Sequence, residues 1–169
     1  MSKNINKGEA YQLVLTNLKS STESKDIFYL IGLIATSESI MSDRLSAFLG
    51  GTKNSKYLEY KQLRNYVPFG NMLEFSKKEL RVELIIKPEG NSAISTKNLY
   101  LELKQWNNKR NKVIHAVCKS SKTVSHDGLA SIFVEIQNCC IDAYRLVRLL
   151  LKWSVQTKRE YNKLQKVIQ

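Results

Sequence analysis

Apolar side chains recur along this chain at helical rather than strand spacing. Over residues 8–20, Tyr11, Val14, Leu15 and Leu18 fall three, one and three apart, which predicts an amphipathic helix. A longer stripe follows, Ile27, Ile31, Ile34, Glu38, Met41, Leu45 and Phe48, spaced alternately four and three. Ahead of it Ser20-Ser21-Thr22-Glu23 fits the S-x-x-E capping box, and Gly50-Gly51 supplies the stop. After a loop at 52–56, residues 57–66 predict another helix. Val67-Pro68-Phe69-Gly70 predicts a turn, with Asn71 capping a helix through about Leu80. Residues 81–86 (Arg-Val-Glu-Leu-Ile-Ile) fit a continued helix and a short strand equally well. Beyond a loop at 88–93, Ser95 or Thr96 caps a helix carrying Leu99, Leu101, Leu103 and Trp106, weakened at Asn107-Asn108.

The last helix is expected after a polar loop from Ser120 to Asp127. Ile132, Ile136, Cys140, Ala143, Val147 and Leu150 line one side of it, together with Leu129, Phe133 and Leu151, and the pattern runs past Trp153. From about residue 156 the tail is polar and basic, with little left to bury. There is no internal repeat and no low-complexity tract. The expected architecture is all-α, a bundle of five or six helices with a long C-terminal helix, in one domain over residues 1–169.

Composition supports the helical reading. With 7 glycines and 2 prolines in 169 residues, chain breakers are about half as frequent as in an average globular protein. The three cysteines form neither a disulfide framework nor a C-x-x-C zinc pattern, and Cys139 and Cys140 are adjacent, so all three are expected as buried thiols in a reducing cytosol. The longest apolar run, Ile27 to Ala35, is far short of the roughly 20 residues that a spanning helix needs. The first residues carry no apolar segment of the secretory type. A cytoplasmic protein with no membrane segment is the expectation.

Charge is the feature that points to a partner. The formal net charge is +12, and its excess is confined to two stretches. Lys104, Lys109, Arg110, Lys112, Lys119 and Lys122 form one, with no acid among them; Arg145 to the end holds seven basic residues against Glu160 alone. The rest of the chain is neutral, with 14 residues of each sign. A focused positive field is suited to a polyanion, most simply nucleic acid, and Lys104, Lys109, Lys112, Lys119 and Lys122 are the candidate RNA-binding residues.

The familiar catalytic signatures are absent. The sequence has no G-x-x-x-x-G-K-[ST], G-x-G-x-x-G, H-E-x-x-H or G-x-S-x-G. His115 and His126 are the only histidines, and the E-x-K at Glu102-Leu103-Lys104 has no aspartate between Asp43 and Asp127 to join it. Neither a metal site nor a cofactor is expected. What the first basic stretch does contain is Arg110-Asn111-Lys112-Val113-Ile114-His115. A histidine with a pKa near 6.5 is suited to move a proton to or from a ribose oxygen, and a fork-shaped, permanently charged arginine to hold a phosphate. The same residues are equally suited to bland roles, an arginine paired with an acid of another helix and a half-buried core histidine.

This hexapeptide resembles the R-x(4–6)-H motif of the HEPN superfamily, including the polar residue directly after the arginine, here Asn111. The resemblance implies a helical bundle and a metal-independent endoribonuclease, with Arg110 and His115 catalytic and Asn111 supporting them. Two motif helices would meet at a homodimer axis and build one site from two arginines and two histidines. The implied products end in 2′,3′-cyclic phosphate and 5′-OH, and the implied setting is a toxin or phage-defence effector with an antitoxin or other regulatory protein partner. A non-catalytic helical module binding RNA or a protein is the alternative. In toxin-type members a tyrosine two residues past the histidine is modified by a partner enzyme; Val117 stands there in this chain. Five positions on one helix is about 500° of turn, so Arg110 and His115 lie about 140° apart. They would converge only if the helix started or bent near Asn107-Asn108-Lys109, or if a second subunit supplied the other half.

Glu38 is the remaining candidate. A carboxylate in the middle of an apolar stripe is costly unless paired, so Glu38 either meets a cation, Arg110 or a neighbour being the expected one, or escapes to solvent at the edge of the stripe. Trp106, Tyr144 and Trp153 are expected in the core, Tyr161 is open, and His126 beside Asp127 reads as the approach to a helix with Asp127 as its cap.

Overall fold

Asn6 caps the first helix. Its side-chain Oδ1 accepts from the Glu9 backbone N–H at 3.0 Å while the Glu9 carboxylate accepts from the Asn6 N–H at 3.0 Å, a reciprocal cap that starts α1, Lys7–Lys19. A computed structural model gives the fold and describes residues 6–51, 67–78, 80, 84–86, 94–96, 98–119 and 126–167. In chain order these form α1, a 3-10 turn at Ser21–Glu23, α2 (Ile27–Gly51), α3 (Phe69–Phe75), β1 (Leu84–Ile86), β2 (Ile94–Thr96), α4 (Leu99–Lys119) and α5 (His126–Val167). The chain is all-α apart from one short ribbon, with five α-helices among the described residues and a C-terminal helix of 42 residues. No helix of the described residues is long and apolar enough to cross a membrane.

The helix starts differ from those read off the sequence, each for a local reason. Ser20 does not cap α2, because its backbone N–H still donates to Thr16 and Leu18 carbonyls and closes α1. Asp26 takes the role, its Oδ1 accepting from the Tyr29 N–H at 3.1 Å. Pro68 sits extended at φ −58°, ψ 144° and α3 begins directly after it, so Asn71 lies inside the helix instead of capping it. Residues 84–86 resolve as strand, pairing antiparallel with 94–96 in the register Leu84 to Thr96, Ile85 to Ser95 and Ile86 to Ile94. Ser95 and Thr96 are therefore committed to β2, and Asn98 caps α4 by accepting from the Leu101 N–H at 3.1 Å. Asn107-Asn108 does not break α4, which is continuous through both. Asp127 lies within the first turn of α5 and does not cap it. The helix expected over 57–66 falls outside the described residues.

Two compact units can be distinguished by their internal packing. The first comprises Met1–Ile40 with Gln105–Arg145. Leu18, Leu30, Ile34, Val113 and Ile136 are buried in it, and the Trp106 indole N–H donates to the Cys139 carbonyl at 3.0 Å, so the largest core side chain keeps its polar atom satisfied. Gln137 Nε2 donates to the carbonyls of Thr22 and Ser24, tying the 3-10 turn to α5. The second comprises Met41–Lys104 with Leu146–Gln169. Here Leu45, Leu73, Leu99, Leu150 and Trp153 are buried, and Phe48 meets Trp153 edge to face at 4.9 Å between ring centroids.

Candidate functional site

Arg110 is the centre of the site, which lies within the first unit. It projects from α4 toward α2, where its Nη2 forms an ion pair with Glu38 Oε2. Its Nη1 donates to the Oδ1 of Asn111, the next residue on its own helix. The side chains of Arg110 and Glu38 retain 17% and 25% exposure, so the pair is largely taken from water without being sealed off. Of the two courses open to Glu38, a cation or solvent at the edge of the stripe, it takes the first. The α2 stripe carries Glu38 inward between Ile34 and Met41, both fully buried, and a carboxylate held there gains most from a cation with directional donors. Burial lowers the Arg110 guanidinium from its ordinary value, but from so high a starting point that it stays charged at any physiological pH. Arg110 Nε is buried and has no hydrogen-bond partner among the described residues.

His115 is placed differently. It is exposed, and among the described residues it makes no side-chain hydrogen bond or ion pair. Because α4 runs unbroken from Leu99 to Lys119, the two motif residues keep their helical separation of about 140° and about 7.5 Å along the axis. Val113, between them, points into the core at 1% exposure. Within one chain, then, Arg110 faces Glu38 and His115 faces solvent.

The five candidate RNA-binding lysines separate into three groups. Lys109 pairs with Asp142 of α5 at 2.7 Å. Lys104, in the second unit, pairs with Glu74 at 2.7 Å and donates to the Tyr100 hydroxyl at 3.0 Å, while Tyr100 itself donates to Glu74 at 2.5 Å. Those hydrogen bonds from Lys104 and Tyr100 hold the Glu74 carboxyl below its ordinary value, and the Lys104 ammonium is raised for the reciprocal reason. Lys112 is exposed and stands on the outer side of α4 with His115. Lys119 closes α4 with its side chain outside the described residues, as is Lys122 entirely. Asp142 and Glu74 were missed by sequence reasoning, since neither lies on the element of the lysine it neutralises and no local spacing announces it.

Of the aromatic candidates, Trp106 and Trp153 are buried, Tyr144 is half-buried, and Tyr161 lies in α5 with its side chain outside the described residues. The cysteines divide. Cys139 and Cys140 are buried, and burial pushes both thiols up to about 12, whereas Cys118 is exposed, contrary to the expectation that all three are buried. It sits three residues after His115 and shares the outward side of α4, a placement the residue type alone does not reveal. His126 is the first residue of α5. Among the described residues no group of three or more His, Cys, Asp or Glu is placed to hold a metal ion. In comparisons with family models, with curated proteins and with solved structures, nothing matches this chain.

Proposed function

We propose that the protein is a metal-independent endoribonuclease of HEPN type, working as a homodimer whose composite site joins Arg110 and His115 of two copies. The observation that carries this reading is the held arginine. Arg110 is oriented by Glu38 and Asn111 while His115, on the same unbroken helix, is left exposed. A second copy brought against this helix would supply the histidine that one chain cannot aim at its own arginine.

In that arrangement Arg110 contacts the scissile phosphate and neutralises the charge that grows on it in the transition state. His115 takes the proton of the attacking 2′-OH or returns one to the departing 5′-oxygen, and the products carry 2′,3′-cyclic phosphate and 5′-OH. Glu38 and Asn111 act as positioning residues. A cytoplasmic toxin or phage-defence effector, held silent by an antitoxin or other regulatory protein, is the setting in which such an activity belongs.

The test is RNA cleavage by the wild type and by His115→Ala, side by side in excess EDTA, with the product ends analysed. Loss of the general acid/base lowers the rate about 10²–10⁴-fold, about 3–5 kcal/mol of barrier. Cleavage that survives EDTA, ends in 2′,3′-cyclic phosphate and disappears in the mutant is the expected result. A second reading, a non-catalytic RNA- or partner-binding module, draws on the same ion pair taken as purely structural, with Lys104 and Lys109 also occupied by acids. RNA bound but uncleaved by both proteins would favour it.

A further inference from the structure

Between Asp142 and Glu160 the sequence has no acid, and α5 passes through the whole of that interval. Within the second unit its inner line is apolar: Leu146, Leu150 and Trp153 are each at most 1% exposed. Taking about 100° of turn per residue, Arg148, Lys152 and Arg159 cluster within about 40° of one another on the opposite side of the helix. Val155 stands on the same strip, 49% exposed, and Arg159 is exposed beyond it. The helical backbone continues to Val167, and its register carries positions 163 and 166, both lysine, along the same strip. Glu160 falls about 60° beyond the nearest edge of the strip, at position 163. The strip from 148 to 166 thus aligns five cationic positions over about 27 Å of straight helix.

We propose that this strip is a docking rail for a single strand of nucleic acid, held through its phosphates without regard to base. Charge is the first argument. The five positions of the strip are all Lys or Arg with no acid among them; Arg148 has an interaction of its own, so the argument rests on positions 152, 159, 163 and 166. A row of like charges along one side of a helix is complementary to the phosphates of a polynucleotide backbone. Geometry is the second. Leu146, Leu150 and Trp153 pack the far side of α5 into its core, so along that stretch the helix lies along a backbone and does not enter a groove. A membrane surface is disfavoured because the apolar line of α5 up to Trp153 is already buried, leaving Val155 as the apolar side chain on the described part of the strip. This binding does not depend on the nuclease reading, and the two fail separately.

The experiment measures binding of fluorescein-labelled oligouridine and oligothymidine from about 50 to 200 mM salt, in a His115→Ala background so that the probe stays intact. Each phosphate contact on a single strand contributes about 0.7 to the slope of log K against log salt. Replacing Lys152, Arg159, Lys163 and Lys166 by Gln is expected to lower that slope by about 2–3, and Arg159→Gln alone by about 0.7. The control replaces Lys7, Lys19, Lys25 and Lys78, all exposed, by Gln, which removes the same net charge and should leave the slope nearly intact. Stronger loss for oligouridine than for oligothymidine identifies the strand as RNA; equal loss identifies a rail indifferent to the sugar. Equal loss in the control, an unchanged slope in both rail variants, or a parent that ignores both probes and binds anionic vesicles instead would overturn the proposal.

Discussion

Arg110 shows how a single side chain can be committed and still have something to give. Two of its nitrogens are engaged, by Glu38 and Asn111, and its Nε is buried without a partner among the described residues. Leaving a donor unsatisfied in the interior costs about 1–3 kcal/mol, so a phosphate or partner group reaching that edge would recover part of the cost. At the same scale the cysteines make a sharp prediction. The thiolate is the reactive form, and burial holds Cys139 and Cys140 almost wholly as thiols at pH 8, while Cys118 is open to solvent. A disulfide-exchange reagent at that pH should titrate one thiol quickly in the native protein and the other two only after denaturant is added. Three fast equivalents would mean that the α5 pair is not packed as described.

At the scale of elements, the Glu38–Arg110 pair joins α2 to α4. Removing one partner of a largely buried pair leaves the other charge uncompensated, so Glu38→Ala should destabilise the fold by about 1–3 kcal/mol in urea unfolding. The double change Glu38→Leu with Arg110→Met removes both charges and should cost less than the single one. If Glu38→Ala costs nothing while RNA cleavage falls, the carboxylate positions the arginine without stabilising the fold; if the double change costs the sum of the singles, the two do not interact. Helix starts are the level at which local reading erred. Ser20, Asn71 and Ser95 are all good capping residues by type, but Ser20 was still closing the helix before it, Asn71 followed a proline that starts a helix by itself, and Ser95 was paired in a ribbon. The ribbon could not be read from Arg81 to Ile86, because three or four apolar residues carry no period.

For the whole molecule, the proposed chemistry requires more than one copy. Arg110 and His115 diverge on a continuous α4, so one chain holds its arginine against Glu38 while its own histidine faces solvent. Sedimentation at micromolar concentration should therefore show a dimer, and a strict monomer that nonetheless cleaves RNA would contradict the composite site. The net charge of +12 opposes self-association at low salt, so the dimer is expected to tighten as ionic strength rises while RNA binding weakens. That opposite response separates the two interactions in one titration.

Much of this protein was determined by the sequence alone. The period of its apolar residues specified helices over 8–20, along the stripe from Ile27 to Leu49, from Leu99 to Trp106 and through the long C-terminal segment, and the carboxylate on the α2 stripe had either to meet a cation or to reach solvent. The two basic stretches were equally plain, whereas the unbroken helix shared by Arg110 and His115 was shown only by the structure, which carries α4 through Asn107-Asn108. Tertiary structure decided which charges are spoken for. Lys109 meets Asp142, 33 positions away, Lys104 meets Glu74, 30 away, and Glu38 meets Arg110 from another helix entirely. The physical reason is that helical periodicity states which way a side chain points on its own axis, whereas a salt bridge depends on what the neighbouring helix presents at that height. Only the packed chain brings the two together.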